Sequence, residues 1–99
     1  MNNENKQIPV YFPNEIKGGA YANNMQVNHT KEEFILDFML LAPLTGAITS
    51  RVIISPGHMK RVLKVLQDNF SNYEKAYGQI ESAQEPKTQG QIGFIQENK

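Results

Sequence analysis

The 99-residue chain has no cysteine and no tryptophan. Without thiols it forms no disulfide and no thiolate metal site. Charge of neither sign prevails, since ten Lys and Arg balance ten Asp and Glu. No global field therefore draws the chain to nucleic acid or to an anionic membrane, and any such binding must be local. Long hydrophobic runs are also missing. The longest, Phe34 to Ala42, is interrupted by Asp37 and followed by Pro43 and Gly46, well short of the ~20 residues of a membrane span. The start, MNNENKQIPV, has neither the basic region nor the apolar core of a signal peptide. The expectation is a soluble, cytoplasmic protein with no membrane partner.

A chain of this length makes one domain and buries only roughly 60% of its unfolded surface, so it is marginal unless something else contributes. With disulfides and thiolate metals excluded, association with another subunit is the readiest help. Three segments differ in composition. Residues 1–17 form an N-terminal arm in which IPVYFP, Ile8 to Pro13, is a candidate edge strand, its prolines excluding a central place. Residues 18–80 are expected to form a single α+β domain. Residues 81–99 are glutamine-rich, with few large apolar groups to offset the entropy of ordering, and read as a mobile tail. Within it, IGFI (Ile92 to Ile95) is apolar enough to dock.

Within the domain, Tyr21, Asn23, Met25 and Val27 alternate at period two, EEFILDFMLLA follows, and AITSRVII is the third run. Such runs with short links imply an antiparallel sheet of three or four strands. Ser55 is a good N-cap and Pro56 suits the first helical position. Met59, Val62, Leu63, Leu66, Phe70, Tyr73 and Tyr77 then recur at spacings of three and four, and Gly78 supplies a left-handed stop. One long C-terminal helix, packed on one face of the sheet, is predicted.

Asp37 is the one acid in FILDFMLLA. If the loop Ala42 to Gly46 is centred near Leu44, Phe34 lies opposite Ile54, Leu36 opposite Val52, Leu40 opposite Ile48, and Asp37 opposite Arg51. An opposite-charge pair at that place penalises a slipped register. The helix stripe is expected to cover the face carrying Phe34, Leu36, Phe38, Leu40, Ile48, Val52 and Ile54. The other face, with Ile35, Asp37, Met39, Leu41, Arg51 and Ile53, is left apolar around an ion pair, and soluble monomers avoid such patches. It is therefore the candidate oligomer interface, the alternative cover being the arm through Val10, Tyr11 and Phe12.

EFILDF, SRVIISPGHMKRVL and NFSNYEKAYGQI, in that order, resemble the hallmarks of a family of small bacterial and archaeal proteins catalogued as a domain of unknown function. The resemblance spans about Ala20 to Ile80. It implies that Asp37, Arg51, Ser55, Pro56, Tyr73, Glu74 and Gly78 are family-typical positions, and it implies no activity. A looser likeness at the level of fold is to the SecB export chaperones, an antiparallel sheet followed by a long helix in subunits that form dimers and tetramers.

Common enzyme signatures are absent: there is no Gly-rich phosphate loop, nucleophile elbow or HExxH. His29, His58 and Glu33 are expected near one edge of the sheet and form a candidate metal or acid–base set, weighed against surface histidines in turns. Ser55, Lys60, Arg61 and Lys64 form a candidate anion site at the start of the helix, against a solvated face or neutralisation by Glu32 and Glu33. Tyr21, Tyr73 and Tyr77 read as core rather than as base-stacking platforms. The favoured reading is a noncatalytic, cofactor-free protein-interaction module, homo-oligomeric and chaperone-like in binding an unidentified polypeptide. The alternative is a phosphate- or nucleic-acid-binding accessory protein that uses the helix start.

Overall fold

The computed structural model describes residues 7–86, 90 and 92–95. Three strands, β1 (Asn24–His29), β2 (Phe34–Ala42) and β3 (Thr45–Ile54), form an antiparallel meander in the order β1-β2-β3, and the helix α1 (Pro56–Tyr77) follows. This is the predicted α+β architecture with three strands. The arm contributes none among the described residues: Ile8–Pro13 has no strand pairing and is followed by a 3-10 turn at Asn14–Ile16. Tyr11 is 90% exposed and Val10 and Phe12 are also exposed, so the arm does not cover the sheet.

Local chemistry sets the turns. Between β1 and β2, the Thr30 hydroxyl accepts from the Glu32 and Glu33 amides at 3.1 and 3.2 Å, and the Thr30 amide donates to the Glu33 carbonyl. Between β2 and β3 the turn is only Pro43 and Leu44, with Ala42 opposite Thr45. That is tighter than the expected Ala42 to Gly46 loop, and a β-bulge restores the expected register further along. Phe34, Leu36 and Asp37 oppose Ile54, Val52 and Arg51 as predicted, but Met39 opposes Ile48 and Leu40 opposes Ala47. The additional residue, Thr49, hydrogen-bonds the Phe38 carbonyl through its hydroxyl at 3.3 Å. Because a bulge shifts the alternation by one residue, Ile48 moves from the Leu36 face to the Asp37 face.

Asn23 extends the first ladder past its last bridge. Its amide donates to the Met39 carbonyl, and its side chain both donates to the Leu41 carbonyl at 3.0 Å and accepts from the Leu41 amide at 2.9 Å. The carboxamide thus satisfies, as a peptide group would, an edge that β1 no longer reaches.

Helix α1 begins and ends where its caps dictate. The Ser55 hydroxyl accepts from the His58 amide at 3.2 Å, Pro56 occupies the first turn, and Gly78, at φ 94°, donates its amide to the Glu74 carbonyl. Its packing differs from expectation. The helix has no buried residue and at most marginal contact with any strand, so the stripe does not cover the Leu36 face. The cause is the link: Ser55, extended at φ −74° and ψ 157°, is the only residue between β3 and the helix. Pro56 restrains it there by excluding the helical region for its predecessor. The radius of gyration is 17.8 Å, against about 13 Å for a compact domain of this length.

Candidate functional site

Among the described residues, the most buried polar group lies at the centre of β2. Asp37 is 3% exposed, and Arg51, directly opposite, meets it with both ends of its fork, Nε to Oδ1 at 2.6 Å and Nη2 to Oδ2 at 2.8 Å. This is bidentate guanidinium–carboxylate geometry. The hydrogen bonding from Arg51 lowers the Asp37 pKa below its ordinary value, removal from water opposes this, and the charge of Arg51 adds to the lowering. The same bonding raises Arg51. Arg51 keeps more than half of its side chain in solvent, so the pair is shielded on one side only and fixes register without a deep desolvation cost.

On the same face, the six expected interface residues lie together, joined by Ile48: Ile35 and Ile53 pair, as do Asp37 and Arg51, with Met39 and Leu41 following along β2. Met39 is buried at 3% exposure, whereas Ile53 is about half exposed. At the hairpin end this face borders a cleft of about 640 Å³, lined by Met39, Leu41, Ile48, Ile92, Phe94 and Ile95 together with turn residues. The IGFI segment therefore faces the sheet. The rest of the predicted mobile tail includes residues 87–89, 91 and 96–99, which lie outside the described residues, as do 1–6 of the arm.

Neither polar candidate forms an open binding site. At the helix start, the Ser55 hydroxyl is engaged by His58, Arg61 Nη2 lies 3.1 Å from His58 Nδ1, and Lys64 pairs with Asp68 at 3.3 Å. Lys60 stands beside them on an exposed turn. The expected partners Glu32 and Glu33 make no salt bridge to these cations among the described residues. His29, His58 and Glu33 do not converge: among the described residues no group of three or more His, Asp or Glu side chains can hold a metal. His29 instead packs its ring on Phe34, with centroids 5.6 Å apart.

The helix carries a second apolar groove. Leu66, Phe70, Tyr73 and Ile80 line a cavity of about 510 Å³, where the chain turns back after Gly78 and the Ile80 amide donates to Glu74 Oε2 at 2.9 Å. Tyr73 and Tyr77 pack against each other at a centroid distance of 4.9 Å. Tyr73 is about half exposed, and Tyr77 and Tyr21 more so. Their expected place in the core is therefore not filled within one chain.

A three-stranded meander with an uncovered helix defines a small α+β protein with open apolar faces. The family model for "Protein of unknown function (DUF3467)" matches residues 1–82, and the chain belongs to that family. The match starts well before Ala20, so the arm lies inside the shared region rather than outside it. No curated protein and no solved structure matches the chain. Among the described residues, no helix is long and apolar enough to cross a membrane.

Proposed function

We infer that the chain is a noncatalytic interaction module that self-associates and binds extended, apolar polypeptide at the hairpin end of the Asp37 face. The observation that carries this reading is the cleft itself. One of its walls is the chain's own Ile92, Phe94 and Ile95, opposite Met39, Leu41 and Ile48. An apolar segment is what this surface already faces, and apolar side chains flanking exposed backbone are suited to polypeptide recognition. A phosphate or nucleic-acid function at the helix start has less support, because Ser55, Arg61 and Lys64 each have a partner within the helix.

Fluorescence anisotropy with a labelled peptide of the tail sequence GQIGFI tests the reading. Binding should tighten when Ile92 and Phe94 are changed to Ser, which removes the internal competitor, and weaken when Ile48 is changed to Asp. Equal affinity in both variants, or no binding in either, contradicts it.

A further inference from the structure

Helix α1 buries no side chain, and on the Leu36 face Met25, Val27 and Val52 stay 38–48% exposed although Leu36 itself is buried; we propose that two copies complete the cover of both by exchange, the helix of each lying on the Leu36 face of the other. The exchange rests on the self-association inferred above and is independent of the polypeptide cleft.

The link makes exchange the accessible solution. Laying a helix back over the strand that it leaves requires a reversal, and strand-to-helix loops in such units typically run to 2–6 residues. Here the link is Ser55 alone, held extended ahead of Pro56. A short, rigid hinge that separates an element from its natural docking face is the setting in which identical chains trade that element.

The dimensions agree. Twenty-two helical residues span about 33 Å at 1.5 Å each, and the nine residues of β2 span about 30 Å. Three strands spaced about 4.8 Å apart are roughly as wide as one helix with its side chains.

The chemistry selects the face. Met25, Val27, Leu36, Phe38, Val52 and Ile54 share the Leu36 face without a charged side chain among them. The opposite face carries the Asp37–Arg51 pair and, from β1, Asn24, Gln26 and Asn28. An apolar stripe that includes Leu63, Leu66, Phe70 and Tyr73 therefore belongs on the first. This places the principal contact between copies on the face opposite to Ile35, Asp37 and Met39.

The area suffices. The chain exposes 9623 Å², whereas a compact monomer of 11.2 kDa exposes roughly 5,700 Å². The arm and tail account for some of the excess of about 3,900 Å², but a quarter of it already exceeds the ~800 Å² per partner of a stable interface.

The test uses the full chain, mixing methyl-labelled and unlabelled copies after joint refolding. Isotope-filtered NOEs should connect Met25, Val27 and Val52 methyls of labelled chains to Phe70 and Tyr73 rings of unlabelled ones. A six-residue Gly/Ser insertion between Ile54 and Ser55 should let the helix close on its own sheet and halve the particle mass. A wild-type dimer lacking these NOEs, or an insertion variant that dimerises as tightly as wild type, overturns exchange while leaving self-association standing. A monomeric wild type at micromolar concentration overturns both.

Discussion

Truncating Leu66 to Ala gives opposite results for an isolated chain and for an exchanged dimer. In the chain alone Leu66 is 60% exposed, so removing its outer carbons changes little, within the ~0.5 kcal/mol usual for surface substitutions. If the partner's sheet covers it, the transfer free energy of that exposed fraction is at stake. Three carbon groups at about 0.8 kcal/mol each, scaled by the 60% that association would bury, give about 1.4 kcal/mol per site. Two symmetric sites give about 3 kcal/mol, a weakening of dimerisation by roughly two orders of magnitude. Val65 is the internal control: it is 64% exposed but projects about 120° away from the stripe, given 100° per residue. Val65→Ala should leave the dissociation constant within a few-fold of wild type. Sedimentation equilibrium over a dilution series reads both constants. Equal effects of the two substitutions would refute the reasoning, because they would show that the stripe is no more engaged than the rest of the helix.

Three further outcomes follow from the local chemistry. Gly78→Ala should destabilise the chain by about 1–3 kcal/mol in urea melts, because φ 94° with ψ 172° is a conformation essentially restricted to glycine; an unchanged midpoint would mean that the helix end reshapes freely. Ser55→Ala removes the acceptor for the His58 amide and should cost about 1 kcal/mol, with Ser55→Asp retaining most of the stability; equal losses in both would refute the capping role. The Asp37 carboxyl is held below its ordinary pKa in the folded state, so its contribution is fully present above the unfolded value and is lost as pH falls through the lowered folded value. Urea melts of Asp37→Asn between pH 2 and 6 should show a flatter acid limb than wild type, and an identical slope would show that other carboxylates set the acid limb.

The parts legible in the sequence are those decided by neighbouring residues. Ser55, Pro56 and Gly78 mark the helix ends because capping and backbone restriction act within one turn, and both boundaries fall where those residues place them. The pairing of Asp37 with Arg51 follows from alternation and opposite charge. Strict alternation puts Ile48 on the Leu36 face, because TGAITSR carries no mark of which residue will bulge; the two-residue turn and the bulge at Thr49 together set the actual register. The role of Asn23 had no periodic signature either, since its carboxamide acts as backbone. The stripe on α1 was recognisable as a surface that needs covering, but periodicity carries no information about whose sheet provides the cover. That depends on a link of one residue, whose restraint by Pro56 is a local fact with a long-range consequence.

Everything about this chain's surfaces turns on whether a single copy is a finished structure. The most direct measurement is the molar mass of the unmodified chain in solution, by light scattering coupled to size exclusion from 1 to 100 µM. Twice the 11.2 kDa of the chain, steady over that range, is the predicted result. A mass of one chain throughout, with the helix intact by circular dichroism, would contradict the account.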